Sequence, residues 1–148
     1  MKGDSRGKHP HAYEGQMTEL LITHRGGCHC GRVQFEVQAP ARLSATECNC
    51  SMCRKVGYWH LMVPRSQLKV LQGKEVLTTY TFNTGVAQHY FCSVCGVKSF
   101  YVPRSHPDGY SVNVRCIESD TIQQLDIRQF DGANWEDHIG ELAPLPES

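Results

Sequence analysis

Three tight clusters of cysteine constrain this chain more than any other feature of its sequence. Seven of its eight cysteines form a C-x-C pair, a C-x-C-x-x-C triplet and a C-x-x-C pair: Cys28 and Cys30, then Cys48, Cys50 and Cys53, then Cys92 and Cys95. Cysteines two or three positions apart rarely reach the geometry of an unstrained disulfide. Thiolates at such spacings are typical of metal sites, and zinc is the usual metal for short strand-and-turn knuckles.

Length and charge exclude several broad classes of protein. A chain of 148 residues fits one domain with a buried core. Lys plus Arg and Asp plus Glu number 15 each, so no electrostatic footprint for nucleic acid is expected. No apolar run reaches the roughly 18 residues of a membrane-spanning helix, and residues 1–16 lack the apolar centre of a signal peptide. We therefore expect an intracellular protein, in cytoplasm or nucleus, without a membrane or nucleic-acid partner and with reduced thiols.

The pattern of apolar residues predicts a mainly β fold with few short helices. Val33, Phe35 and Val37 alternate with polar residues and would share one face of a strand. Similar short runs predict strands at residues 19–24, 32–38, 58–64, 75–82, 86–91, 98–103, 110–114 and 124–130. Helical signals are limited to residues 51–55, the neighbourhood of Ser66 and residues 132–142.

The same pattern predicts one domain with two polar ends. Residues 1–16 are polar and aperiodic, which favours a disordered leader or a remnant of an expression vector. Residues 17–143 would form a single zinc-containing domain, and residues 144–148 a flexible tail.

Two of the cysteine clusters complement each other as halves of one metal site. The turn between Cys92 and Cys95 directs both sulfurs to one point, and Gly96 after it can adopt the left-handed conformation. Cys28 and Cys30, two positions apart in an extended segment, point to the same side. Together these residues would close a four-sulfur structural site on which folding depends, because the metal closes a long loop.

The triplet of Cys48, Cys50 and Cys53 is then left with its own metal. Three protein ligands and an open position are typical of zinc sites that perform chemistry, whereas structural sites have four ligands. The open site is the favoured interpretation. Cys116, or a histidine such as His60 or His89, remains an alternative fourth ligand that would turn the triplet into a second closed clip.

Three stretches of the chain resemble a known family. "GGCHCGRVQFEV", "CNCSMCRK" and "AQHYFCSVCGVKSFY" are similar to the family of glutathione-dependent formaldehyde-activating enzyme and centromere protein V, over residues 22–138. "TTYTFNT", "VPRS" and "NWE" look closer to the centromere protein V branch. The long basic, proline-rich N-terminal region of that protein is missing from this sequence, so its chromosomal role does not transfer.

The resemblance implies a fold, two metals and a reaction. It implies tent-like antiparallel β-sheets stapled by a structural zinc on Cys28, Cys30, Cys92 and Cys95, and a catalytic-type zinc on Cys48, Cys50 and Cys53. It also implies a carbon–sulfur lyase that joins formaldehyde to the thiol of glutathione, forming S-(hydroxymethyl)glutathione. The cofactor expected is therefore zinc, two per chain, and the expected partner is a small thiol such as glutathione. The oligomeric state stays open.

Four residues after the triplet are candidates for contact with such a substrate. Arg54 and Lys55 could meet its carboxylates, although a solvated basic turn is the ordinary fate of such residues. Trp59 could line a substrate pocket and His60 could transfer a proton. Both residue types also occur in strands simply as packed core residues.

Two classes of function follow from this sequence. One is a zinc-dependent enzyme acting on the thiol adduct of a small aldehyde. The other is a non-catalytic, zinc-stabilised interaction module of the centromere protein V type. The zinc content of a Cys116→Ser variant discriminates between them. Two zinc ions retained, together with glutathione binding, would support the enzyme, whereas loss of the second zinc would indicate two closed sites.

Overall fold

The computed structural model describes residues 20–82 and 85–131, which contain ten β-strands and one short α-helix. The strands are β1 (Ile22–Gly27), β2 (Gln34–Ala39), β3 (Arg42–Cys48), β4 (Trp59–Pro64), β5 (Leu68–Gln72), β6 (Leu77–Tyr80), β7 (Gln88–Cys92), β8 (Phe100–Val102), β9 (Gly109–Asn113) and β10 (Gln124–Phe130). The helix α1 spans Ser51–Val56, and 3-10 turns lie at Arg65–Gln67, Lys74–Val76 and Val114–Cys116. The expected mainly β fold with few short helices is confirmed.

The strands form two sheets. The smaller sheet has the order β1-β2-β5, and the larger has the order β10-β3-β4-β9-β8-β7-β6. All pairs are antiparallel except β3 and β10, which run parallel with Leu43 opposite Leu125. The larger sheet is therefore mixed. A parallel pair requires a long connection, and here strands β4 to β9 and the helix lie between β3 and β10 in the sequence.

The core lies between the two sheets. Val33, Phe35 and Val37 are all at most 1% exposed, as their alternation predicts. Phe35 of the smaller sheet meets Phe100 of the larger edge to face, with ring centroids 6.1 Å apart. Such pairs add to the free energy gained by burying apolar surface.

The sequence pattern does not predict two of the strands. In β3 the inward-facing residues are Leu43 and Ala45, and one small apolar side chain gives a weak alternation signal. In β5 only Leu68 is buried, so the apolar residues of this strand do not show the alternation that predicts a strand with one buried face. The predicted helix at residues 132–142, the leader and the tail lie outside the described residues.

A close backbone contact fastens β1 to the segment after β9. Gly26 pairs with Ile117 as an isolated bridge, and Glu118 N–H donates to the Arg25 carbonyl at 2.8 Å. A Cβ atom on Gly26 would lie 2.1 Å from the Cys116 carbonyl oxygen, so this position accepts only glycine.

We therefore expect Gly26→Ala to lower the free energy of unfolding by about 3 kcal/mol, the upper range for overpacking against atoms that cannot move aside. Gly57→Ala is the comparison, because its Cβ would meet nothing within 4 Å and only its positive φ of 71° is strained. That strain costs about 1 kcal/mol. Urea unfolding of both variants measures the difference, and equal losses would contradict a rigid contact at Gly26.

Candidate metal centres

Four cysteine sulfurs from the two sheets meet at one point. Cys28 follows β1 of the smaller sheet directly, and Cys92 is the last residue of β7 in the larger sheet. The Sγ atoms of Cys28, Cys30, Cys92 and Cys95 all lie within 4.8 Å of one another. The structure thus brings together the four residues that the sequence assigns to a first metal site.

Tight turns hold these sulfurs in place. The Gly96 N–H donates to the Cys92 carbonyl at 2.8 Å, which closes the knuckle, and Gly96 has a φ of 81°. Backbone N–H groups also point at two of the sulfurs: Val33 N lies 3.3 Å from Cys28 Sγ, and Val94 N lies 3.4 Å from Cys92 Sγ. Such donors orient thiolates around a metal.

The spacing of the four sulfurs fits a tetrahedral zinc site. Zinc–sulfur bonds of about 2.3 Å place the corners of a tetrahedron about 3.8 Å apart. Cys28 Sγ lies 3.6 Å from Cys30 Sγ, and Cys30 Sγ lies 3.7 Å from Cys92 Sγ. All eight cysteines are free thiols, so no disulfide competes with metal binding here. The donor set therefore suits a closed, structural zinc.

The cysteine triplet forms a second, separate group. Cys48 ends β3, and Cys50 caps the N-terminus of α1. Cys53 is the buried residue of that helix. Their three Sγ atoms also lie within 4.8 Å of one another. The Cys53 N–H points at Cys50 Sγ at 3.4 Å, and the Cys50 N–H at Cys48 Sγ at 3.5 Å. A strand end followed at once by a helix start places all three sulfurs on one side.

The ionisation of the triplet shows why it suits a cation. Hydrogen bonds from the thiols of Cys48 and Cys53 lower the pKa of Cys50. Hydrogen bonds to Cys48 and Cys50 raise the pKa of Cys53, and burial raises it further. One sulfur therefore ionises at the expense of its neighbours, and three thiolates can coexist only beside a positive charge.

Neither Cys116 nor His89 joins the triplet. The Cys116 thiol donates to the carbonyl oxygen of Lys98 at 3.8 Å and belongs to neither group of sulfurs. Nδ1 of His89 lies 2.6 Å from the Lys98 amine. Both of these alternative fourth ligands thus have other partners.

His60 lies directly against the triplet. Its Nε2 is 3.2 Å from Cys53 Sγ, while its Nδ1 is 2.9 Å from Ser111 Oγ and 3.2 Å from the Tyr101 hydroxyl. Burial, with a smaller contribution from the charge of Lys98, lowers the pKa of His60 to about 3. The imidazole is therefore neutral at pH 7, with one ring nitrogen as donor and the other as acceptor.

The other predicted contacts lie at the surface around α1. Arg54 and Lys55 are exposed on the helix itself. Trp59 is half-buried: its indole N–H donates to Glu47 at 3.4 Å, and the Arg115 guanidinium lies 3.8 Å from its ring centroid. His29, between two ligands of the first site, is exposed and faces away, as strand alternation predicts.

Sequence reasoning misses the interior behind the triplet. Tyr58 and Tyr101 are buried with ring centroids 5.4 Å apart, and Lys98 is buried beside them. The sequence pattern marks their segments only as strands. A lysine immediately before the apolar run "SFYV" is the available signal, because Lys is rarely buried without a reason.

Fold and site together define a class: a β-sheet protein that gathers reduced cysteines into one group of four and one group of three. The family model of glutathione-dependent formaldehyde-activating enzyme matches residues 23–131, and the chain belongs to this family.

Two relatives illustrate the similarity. A Halomonas elongata protein named "Putative glutathione-dependent formaldehyde-activating enzyme" is 29% identical over 103 residues, which are 64% of this chain and 66% of that protein. This chain thus spans just under two thirds of its length. A crystal structure of a Rhodobacter sphaeroides protein is 36% identical, with a TM-score of 0.59, and the match covers 70% of this chain and 98% of that one.

In the part of the chain that the structure describes, no helix has the length and apolarity needed to cross a bilayer.

We expect the purified chain to bind two zinc ions, measured by elemental analysis beside protein concentration. Cys53→Ser should retain one, because it removes a sulfur from the triplet alone. Cys116→Ser is the matched control and should retain both. Loss of one zinc from Cys116→Ser would show instead that this thiol closes the second site.

Proposed function

We propose that this chain is a zinc-dependent carbon–sulfur lyase that reversibly joins formaldehyde to the thiol of glutathione. In the forward direction the sulfur–carbon bond forms, the π bond of the carbonyl breaks, and the thiol proton ends on the former carbonyl oxygen. The product is S-(hydroxymethyl)glutathione. The family name supports the substrates, and the metal and the residue roles are our proposal.

The observation that carries this proposal is the unequal division of the cysteines. Four sulfurs already complete one tetrahedron, so the first group has no position for a substrate. The triplet has three sulfurs, and Cys116 lies outside it. A metal held by Cys48, Cys50 and Cys53 would keep one position for an incoming ligand.

A zinc ion bound by the triplet would keep an incoming thiol deprotonated near neutral pH. The residues around it then have separate tasks. Cys48, Cys50 and Cys53 hold the site. His60 is too weak a base, with a pKa of about 3, to remove a proton at pH 7. Its neutral ring instead orients Cys53, as outer partners of metal ligands commonly do.

Two basic residues on α1 would bind the carboxylates of the substrate. Glutathione carries two carboxylates, and Arg54 and Lys55 follow the last ligand of the triplet in the sequence. Exposed guanidinium and ammonium groups are suitable partners for such carboxylates. The thiol of the tripeptide would then reach toward the triplet while its ends remain at the surface.

The test is the exchange rate between free formaldehyde and its glutathione adduct, measured by NMR with ¹³C-formaldehyde. This reaction also proceeds without a catalyst, so the protein-free rate is the baseline. We expect the zinc-loaded chain and Cys116→Ser to accelerate exchange equally. Cys53→Ser should fall back to the baseline.

Acceleration by Cys53→Ser equal to that of the unaltered chain would contradict the role of the triplet. No acceleration by any zinc-loaded form would favour the non-catalytic interaction module.

A further inference from the structure

A lysine amine is buried behind the triplet, where neither the family match nor the proposed reaction assigns it a role. Lys98 is 7% exposed. Its Nζ lies 3.9 Å from the ring centroid of Tyr101, 5.0 Å from that of Tyr58 and 2.6 Å from Nδ1 of His89. An ammonium over two aromatic faces gains cation–π attraction, which only partly offsets the loss of water.

Among the residues that the structure describes, no carboxylate pairs with this amine, although buried lysines are usually paired. A buried charge without a partner is strongly destabilising. The ammonium form of Lys98 is therefore favoured only if another anion lies nearby.

The aromatic and imidazole groups that contact it supply no negative charge. Burial raises the pKa of Tyr58 and Tyr101 well above the ordinary value, so both hydroxyls stay neutral. Burial and the charge of Lys98 lower the pKa of His89 to about 4. Its ring is thus uncharged at pH 7.

The negative groups that act on Lys98 are cysteines of the triplet. Burial lowers the pKa of Lys98 to about 8, and the charges of Cys53 and Cys50 oppose that shift. A continuous path also joins them: Lys98 sits on Tyr101, the Tyr101 hydroxyl contacts His60, and His60 contacts Cys53 Sγ. At pH 7 the amine is mostly the ammonium ion.

The charge of Lys98 affects the net charge of the metal-loaded triplet. Three thiolates around a divalent metal leave a net charge of minus one, which would repel a fourth thiolate. With the ammonium of Lys98 the interior is neutral before that ligand arrives. In a water-excluded interior such charges interact over several ångströms.

We propose that Lys98 is the buried counter-charge of the triplet and selects an anionic thiolate, in preference to a neutral ligand, for its open position. This inference rests on the proposed function only in needing an open metal site, and it names the ligand class as thiolates in general. Lys98 is a specificity-determining residue that acts through its charge.

The experiment uses the full chain loaded with Co²⁺, whose absorption spectrum reports the ligands of the metal. The chain is titrated with 2-mercaptoethanol, a thiol without carboxylates, and separately with imidazole as a neutral ligand. Lys98→Gln keeps a hydrogen-bond donor toward His89, and Lys98→Met keeps apolar contact with Tyr101. Lys98→Arg retains the charge. Lys69→Met, on the exposed face of β5, is the matched control for loss of a lysine.

We expect Lys98→Gln and Lys98→Met to bind the thiol about tenfold or more weakly, as loss of a nearby buried charge predicts. Imidazole affinity should be unchanged. Lys98→Arg should recover most of the thiol affinity, and Lys69→Met should match the unaltered chain for both ligands. A general packing defect would instead weaken both ligands together.

Unchanged thiol affinity in the neutral variants would overturn the inference while leaving the proposed function intact. Equal weakening of thiol and imidazole would also overturn it. Loss of the second metal from both neutral variants would overturn it too, since the charge would then serve the three cysteines themselves. An unaltered chain with no thiol-dependent spectrum would overturn the proposed function and the inference together.

Discussion

The meeting of four sulfurs between the two sheets is the interaction on which the rest of the structure depends. Cys28 and Cys30 follow β1, Cys92 ends β7, and Cys95 lies in the turn after β7. A metal at this point closes a loop of more than sixty residues, which removes entropy from the unfolded chain. The triplet, β3 and α1 all lie within that loop. Their positions therefore depend on the closed site, although they contribute nothing to it.

The second group of sulfurs differs from the first in its surroundings as well as in number. Backbone N–H groups point at sulfurs in both groups. The triplet faces a buried interior of histidine, tyrosine and lysine side chains, in which Lys98 is the cation. A closed structural clip needs no such interior. The combination supports a site built for an additional anionic ligand.

The cysteine grouping is predictable from the sequence because ligand spacing is local. Knuckle geometry follows from two or three residues and an adjacent glycine, so the spacing indicates which cysteines can bind metal. The pairing of Cys28 and Cys30 with Cys92 and Cys95 follows from matching two half-sites. The parallel pairing of β3 with β10 is a long-range contact that no local pattern encodes. Strand β3 itself escapes prediction because Leu43 and Ala45 give a weak alternation.

Lys98 escapes prediction for a different reason. The sequence shows that a lysine precedes a strand, but it does not show that Tyr58, His89 and Tyr101 contact its amine. Cys116 illustrates the converse. Its thiol could complete the triplet by ligand type alone, and only its position against the Lys98 carbonyl separates it from that group.

The central claim is that one metal site is closed and the other is open. It is tested most directly by ¹¹³Cd NMR of the cadmium-loaded chain, because the chemical shift of cadmium depends on how many sulfurs bind it. We predict two resonances, of which one stays fixed and the other moves when glutathione is added. Two resonances that both ignore glutathione, or a single resonance, would contradict this account.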